Sequence, residues 1–297
     1  MYETIKLFRS LVLPVTSTVI LSLFFFHFAP IDHFLSDFID ILFPDESSSE
    51  FSLWQAVLSG SILMLLLLSV SFAILFAIKK GLKQMLKFWF IFSVFITLLT
   101  LGSLIFSSLF AKFSIKFSTL NIILLILLIS FVIISSTLAI FLPRNKNNLL
   151  THSSLVLLSS FVCTFFAQFP SITVFCFIIF LSLYDVYAVL HKSGPLSQML
   201  DHDALIVTAN EEESEFPGLI YETETIELGL GDFIVYSLLI TKFSKLSLLL
   251  SAFAFFGIIL GLFITVYFMI KLDKTLPALP ISVVIGFIIL IVFKSIN

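Results

Sequence analysis

Apolar residues follow one another in runs that are too long for the core of a soluble protein. Leu53–Ile78 and Leu120–Leu142 are two such runs, and a bilayer core of ~30 Å needs only about 20 helical residues to cross it. The mean hydropathy is +1.17 and charged residues make up 12% of the chain, against about a quarter in soluble domains. The sequence therefore predicts a protein that crosses the membrane several times.

Nine spans can be counted, and each is expected to be an α-helix. A helix satisfies every backbone hydrogen bond within its own segment, as hydrocarbon requires, and these runs lack the alternation of barrel strands. Pro170 would break the hydrogen-bond ladder of a continuous fifth and sixth helix, so a tight turn is expected over Gln168–Ser171. The nine spans are expected at 8–28, 53–78, 88–110, 119–142, 149–169, 171–190, 228–243, 247–270 and 276–293.

The chain is expected to form one polytopic membrane domain over residues 1–297. Its two sizeable loops, 29–52 and 191–227, are too short for a separate folded domain. Residues 1–170 would hold spans one to five, and residues 171–297 would hold spans six to nine with the loop 191–227. The fold class predicted is an all-α membrane protein.

The distribution of Lys and Arg predicts the orientation, because cytosolic segments carry the excess of both residues. A cytosolic N-terminus places eleven of them in the cytosol and five on the opposite side. The loop 29–52 has six acidic residues and no Lys or Arg, which fits the outer side. We therefore expect a cytosolic N-terminus and a lumenal or extracellular C-terminus. The five outer residues would be Lys112, Lys116, Lys242, Lys245 and Lys294.

Two carboxylates stand apart from the other acidic residues because they lie inside predicted spans. Asp185 lies six residues before the polar loop begins at His191, and Asp232 lies five residues after it ends at Glu227. At 1.5 Å per residue, both would sit roughly 8–9 Å inside the cytosolic boundary, on antiparallel helices. An Asp at the centre of a span costs about 2.5–3.5 kcal/mol on insertion scales, so each needs a reason to be there.

Two carboxyl groups at one depth suit peptide hydrolysis by water. Groups that share a site do not readily both ionise, so one serves as a base while the other keeps a proton to donate. The same pair could also form a cation site in a transporter, and a single intramembrane Asp could be a helix-packing contact. Gly229 and Gly231 lack a Cβ and would let another backbone approach Asp232.

The sequence lacks the residue patterns that are typical of metal sites, serine nucleophiles and phosphate-binding loops. The five histidines are scattered without metal-ligand spacing, and there is no Ser-His pair, phosphate-binding Gly-rich loop or zinc motif. We expect no metal and no cofactor. A net charge of −3 gives no basic patch for a nucleic-acid partner, so none is expected.

Three short motifs, taken together, resemble the signature of the presenilin and signal peptide peptidase superfamily. They fall on the sixth, seventh and ninth predicted spans: Tyr184-Asp185, Gly229-Leu230-Gly231-Asp232 and Pro277-Ala278-Leu279. The flanks resemble presenilins, because Leu276 stands where signal peptide peptidases usually have Gln. The flanking sequences 192–196, 216–221, 232–237 and 277–282 are similar to presenilins as well.

The resemblance implies an intramembrane aspartyl endopeptidase, the catalytic subunit of a γ-secretase-type complex. Asp185 and Asp232 would be the catalytic pair. Substrates would be single-span stubs of type I membrane proteins, and partners would be nicastrin-like and smaller membrane subunits in the bilayer. The compartments implied are endoplasmic reticulum and Golgi, with plasma membrane or endosomes beyond. Substrate contacts would come from Tyr184, Gly229, Leu230, Gly231, Pro277, Ala278 and Leu279.

Two alternatives remain open on the sequence. The first is a non-enzymatic membrane protein that uses the Asp pair, either as a cation leak or transporter or as a silent scaffold. The second is an enzyme of the signal peptide peptidase branch. Labelling by an aspartyl-protease transition-state analogue that depends on both aspartates would favour an enzyme.

The chain departs from most presenilins in the connection before the seventh span. Glu222–Leu228 is the whole connection, where presenilins have a long hydrophilic insertion. These seven residues are fewer than the ~12 that even a marginal helix needs. They can hardly enter the cleft as a substrate would, so we expect a single chain that is active without self-cleavage.

Residues 220–226 carry β-branched residues in alternation, which favours a short strand at the mouth of the site. An unwound substrate helix would need hydrogen-bond partners, and a strand edge supplies them. We hypothesise that this segment is such an edge; a merely extended linker is the alternative.

Overall fold

The computed structural model describes residues 2–29, 53–112, 126, 149–191, 220–222, 227–272 and 276–296. They form eight helices of four or more turns and two short strands. In chain order these are α1 Tyr2–Phe28, α2 Leu53–Lys79, α3 Lys83–Lys112, α4 Leu149–Phe166, α5 Ser171–Leu190, β1 Ile220–Glu222, β2 Glu227–Gly229, α6 Leu230–Leu246, α7 Leu248–Leu272 and α8 Leu279–Ile296.

In the described part of the chain, six helices are long and apolar enough to cross a membrane, so the chain is a helical membrane protein. The qualifying stretches are Ser10–Phe28, Trp54–Ile74, Phe92–Leu109, Ser171–Leu190, Leu248–Leu272 and Leu279–Ile296. Helix α4 contributes a shorter apolar stretch, His152–Phe166, and α6 has 17 residues. The fourth predicted span, 119–142, lies outside the described residues except for Ile126.

The turn predicted between the fifth and sixth spans is confirmed. Helix α4 ends at Phe166 and α5 begins at Ser171. Pro170 precedes α5 with φ −53° and ψ 139°, which is extended rather than helical backbone. Because Pro cannot donate a backbone hydrogen bond, it ends one helix and is tolerated beside the start of the next.

Helix α6 is the centre of the fold. It packs against α1, α4, α5, α7 and α8, and every residue from Val235 to Phe243 is buried. A helix that is buried around its whole circumference belongs in the interior of a bundle. The first turn of α6, which carries Asp232, leads directly into this buried stretch.

Helices α7 and α8 pack closely because small residues face each other. A Cβ built on Gly261 of α7 would lie 2.6 Å from the Ser282 Cα of α8, so only a glycine fits at this contact. The Ser282 hydroxyl also donates to the Ile258 carbonyl across the same interface, at 3.4 Å. Close approach through small residues is typical of membrane helix pairs. This contact fixes the start of α8.

The predicted strand is confirmed over part of its length. Strand β1 covers Ile220–Glu222, and residues 223–226 lie outside the described part of the chain. The prediction did not include β2, which pairs with β1 antiparallel in the register Ile220↔Gly229, Tyr221↔Leu228 and Glu222↔Glu227. This hairpin adds a small β element to an otherwise helical structure, and it leads directly into α6.

Candidate active site

Asp185 lies near the C-terminal end of α5, five residues before the helix ends at Leu190. Its side chain is half-buried, and its Oδ2 accepts a hydrogen bond of 3.3 Å from the backbone N–H of Leu279. Asp185 and Leu279 are 94 positions apart in the sequence. The bond therefore ties the end of α5 to the start of α8.

Asp232 lies in the first turn of α6, because that helix begins at Leu230 and the residues before it are in β2. Its Oδ2 accepts a hydrogen bond of 3.1 Å from the N–H of Gly229. A carboxylate that reaches back to the residue before a helix satisfies a backbone donor that has no helical partner. The positive end of the helix dipole also stabilises its negative charge.

The structure brings Asp185 and Asp232 together. They lie close enough for electrostatic repulsion between the two carboxylates, although 47 positions separate them in the sequence. Helices α5 and α6 are direct neighbours, and each carboxylate accepts a backbone N–H that holds it in place. Two acidic groups in one partly buried site can divide the roles of proton acceptor and proton donor.

The Pro-Ala-Leu segment lies against both helices of the pair. Leu276, Pro277 and Ala278 precede α8 and are not helical, and the helix starts at Leu279. The Ala278 carbonyl accepts a hydrogen bond of 2.9 Å from the Tyr236 hydroxyl of α6. Irregular backbone at membrane depth is tolerated where protein groups satisfy it, and here Tyr236 and Asp185 both do so.

The space beside the Gly-Leu-Gly-Asp motif is open at one of its glycines. Among the described residues, a Cβ on Gly231 would meet nothing within 4 Å, whereas one on Gly229 would lie 3.7 Å from the Asp232 Oδ2. Gly231 is also exposed. Another backbone therefore has room to approach Asp232 from the side of Gly231.

The remaining predicted substrate residues adjoin the carboxylates or the Pro-Ala-Leu segment in the sequence. Tyr184, Leu230 and Pro277 are each half-buried, beside Asp185, at the start of α6 and before α8 respectively. Their predicted contacts with substrate remain predictions.

Tyr236 was missed by the sequence reasoning. It is fully buried, it interacts electrostatically with both carboxylates, and its hydroxyl also contacts the side chain of Ser282. The signal that could have found it is spacing, because Tyr236 follows Asp232 by four residues and shares its helix face.

Lys242, which the orientation count placed on the outer side, lies within the helix bundle. It is 1% exposed and donates a hydrogen bond to the Phe169 carbonyl in the α4–α5 turn, and the predicted topology places that turn at the outer side. Lys242 lies ten residues from Asp232, about 15 Å along α6. The long stem of Lys lets its charged end reach a distant carbonyl from within an apolar helix.

A family model for presenilins matches this chain over residues 3–227 and 222–296, nearly its entire length. The chain belongs to the presenilin family. It is 35% identical to Presenilin-B of Dictyostelium discoideum over 137 residues, which cover 44% of this chain and 28% of that protein. A presenilin-like protein of Arabidopsis thaliana is 25% identical over 315 aligned positions, covering 81% of this chain and 78% of the relative.

The similarity to a presenilin homolog of Drosophila melanogaster is concentrated in a short stretch. It is 44% identical over 68 residues, which cover 23% of this chain and 13% of the relative. The matched region also spans little more than a quarter of Presenilin-B.

Proposed function

We propose that this presenilin is an intramembrane aspartyl endopeptidase whose catalytic residues are Asp185 and Asp232. The observation that carries the proposal is their proximity: two carboxylates from neighbouring helices lie within electrostatic range in a partly buried site. Each accepts one backbone N–H, which fixes its orientation before a substrate arrives. Such preorganisation is what a catalytic pair requires.

The pair acts on a peptide bond through a bound water. The ionised carboxylate takes a proton from the water, whose oxygen bonds to the carbonyl carbon, while the other carboxyl group donates its proton to the carbonyl oxygen. A tetrahedral diol results. Its collapse breaks the C–N bond as the nitrogen takes a proton from a carboxyl group and a diol hydroxyl returns one, giving an acid and an amine.

The substrate is a single-span segment of a type I membrane protein that unwinds before cleavage. Its exposed peptide groups need partners, and an added strand provides them. Among the described residues the sheet has two strands, so each has one edge without a strand partner. Strand β2 ends at Gly229, three residues before Asp232, which would deliver an added strand to the carboxylates.

The proposal includes nine spans with a cytosolic N-terminus. The predicted cytosolic segments carry eleven Lys and Arg, and the predicted outer segments carry five, which is the asymmetry that favours this orientation. We further propose assembly with nicastrin-like and smaller membrane subunits and residence in endoplasmic reticulum and Golgi, as the resemblance to presenilins implies. A glycosylation-site tag at either end, read by mobility shift, tests the orientation.

The deciding experiment measures cleavage of a tagged single-span substrate by the reconstituted protein. Wild type should cut within the membrane segment, and Asp185→Ala and Asp232→Ala should insert normally without cutting. Asp40→Asn, in the predicted loop 29–52, is the matched control and should cut as wild type does. A non-enzymatic presenilin would leave the substrate whole in every case and would not bind an aspartyl-protease transition-state analogue.

We also propose that the mature protein is a single chain. The hairpin accounts for Glu222 and for Glu227–Gly229 of the short connection before α6, which leaves four residues between the strands. Tags at both ends and an immunoblot test this directly. Two stable fragments that disappear in Asp185→Ala would show self-cleavage and overturn the proposal.

A further inference from the structure

One peptide group joins the two helices that carry the carboxylates. The carbonyl of Ala278 and the N–H of Leu279 are the two polar ends of a single planar peptide unit. The carbonyl accepts from the Tyr236 hydroxyl of α6 at 2.9 Å, and the N–H donates to Asp185 of α5 at 3.3 Å. The unit is therefore held at both ends by side chains from different helices.

Tyr236 is well placed to set the orientation of this peptide unit. Its side chain is fully buried in the central helix α6, so it has little freedom to rotate away. Its hydroxyl also contacts Ser282 of α8, and Ser282 packs directly against Gly261 of α7. A rigid donor thus fixes the carbonyl, and because the peptide unit is planar, fixing the carbonyl also fixes the N–H.

We propose that Tyr236 is a positioning residue that aligns the Ala278–Leu279 peptide unit so that its N–H fixes the carboxylate of Asp185. One oxygen of Asp185 is occupied by this bond, which leaves the other oxygen for water. The Pro-Ala-Leu segment therefore orients the catalytic carboxylate in addition to any contact with substrate. The structural part of this inference stands on the two hydrogen bonds, and its catalytic consequence rests on the proposed function.

Amide hydrogen exchange tests the alignment without requiring activity. Pro277 and Pro280 have no amide hydrogen, so Ala278 and Leu279 carry the only two between them. In Tyr236→Phe, which removes one hydroxyl, exchange at Leu279 should rise about tenfold because its bond to Asp185 is weakened. Asp185→Ala should raise the same amide at least as much, since it removes the acceptor.

Ser237→Ala is the matched control. Ser237 follows Tyr236 in α6, and its buried hydroxyl donates to the Phe233 carbonyl of the same helix at 2.7 Å. The variant also removes one buried hydroxyl from α6, but it breaks no bond to α8. Exchange at Leu279 and cleavage should both stay within about twofold of wild type.

Kinetics separate positioning from general damage. Tyr236→Phe should lower kcat about 10–100-fold, since small misplacements of catalytic groups have effects of this size. KM should change less than about twofold, because the substrate-binding surface is retained. The rates are normalised to sites titrated with a transition-state analogue, so a smaller folded fraction does not mimic the result.

The outcomes are distinguishable. Unchanged Leu279 exchange in Tyr236→Phe overturns the inference, as does raised exchange with kcat within twofold of wild type. If wild type cleaves nothing while Leu279 exchange still depends on Tyr236, the alignment stands and the proposed function fails. Should Tyr236→Phe not be recovered folded, Ser282→Ala replaces it, and unchanged Leu279 exchange there counts against the inference.

Discussion

Helices α6 and α2 are both apolar, yet they use their polar residues differently. In α2 the serine hydroxyls bond to carbonyls of their own helix: Ser59 to Gln55, Ser61 to Leu58, Ser69 to Leu66 and Ser71 to Leu67. In α6, Tyr236 donates to the Ala278 carbonyl just before α8 and Lys242 to the α4–α5 turn, while Ser237 and Ser244 bond within the helix. Two polar side chains of α6 therefore connect helices, whereas these four serines of α2 bond within their own helix.

Burial explains the difference. Helix α2 buries a single stripe, Ala56, Gly60 and Met64, and exposes large residues on its other faces, among them Leu58, Ile62, Leu65 and Phe72. Helix α6 is buried all round from Val235 to Phe243. In hydrocarbon a polar side chain facing lipid has its own helix as its nearest partner. A helix surrounded by others has partners on every side to which its polar groups can bond, so we expect substitutions to have larger effects around α6.

The largest effect is expected at the carboxylates. Asp185→Asn and Asp232→Asn should each reduce kcat by at least about a thousandfold, because Asn can neither take nor give the proton. Wild-type activity should be bell-shaped in pH, with limbs that belong to the pair as a unit. The measurement is the cleavage rate of each variant across pH, with Asp40→Asn as the control. Substantial activity in Asp185→Asn or Asp232→Asn would contradict the acid–base roles.

Gly261→Ala should destabilise the fold by about 1–3 kcal/mol, because its Cβ would overlap backbone atoms of Ser282 that cannot rotate away. It should also reduce activity, since Ser282 contacts Tyr236. Gly257→Ala, one turn earlier, is the control. Its closest overlap is with the end of the Ile289 side chain, which can move, so the loss should be smaller. Thermal unfolding in detergent compares them, and equal losses would refute the backbone explanation.

Gly231→Ala tests the access of substrate to Asp232 separately from the stability of the fold. Its Cβ would meet none of the described residues within 4 Å, so the free energy of unfolding should change by less than about 0.5 kcal/mol. The methyl group would nevertheless occupy the open space beside Asp232, so kcat/KM should fall about tenfold through hindered approach of the substrate. Wild-type kcat/KM in this variant would show that substrate does not approach from this side.

The smallest effects are expected for substitutions on α2, with Gly60 as the exception. Ser69→Ala removes an exposed hydroxyl bonded to its own helix, and should change stability by less than about 0.5 kcal/mol. Gly60→Ala should cost more, about 1 kcal/mol, because its Cβ would lie 3.0 Å from the Cys176 Cβ of α5 and 3.2 Å from a backbone nitrogen. If Ser69→Ala proved as damaging as Tyr236→Phe, the contrast between α2 and α6 would fail.

Much of the fold was predictable because its signals are local. The apolar runs predicted the eight described helices, and Pro170 predicted the turn between α4 and α5. The predicted helix starts were less accurate. Helix α6 begins two residues later than expected, because the residues just before it form strand β2. That strand was missed because its pairing with β1 depends on a partner outside the segment.

The sequence by itself determined the membrane class, the helices and the three motifs, because length, hydropathy and proline act within one segment. The tertiary structure decided which groups meet. Asp185 and Asp232 lie together because α5 and α6 pack as neighbours. The Lys242 side chain is buried, and its ammonium group bonds to the Phe169 carbonyl of another segment. The roles of Tyr236 and the Ala278–Leu279 peptide also depend on three helices converging. Hydrogen bonds between distant segments depend on packing, and packing is a property of the whole chain.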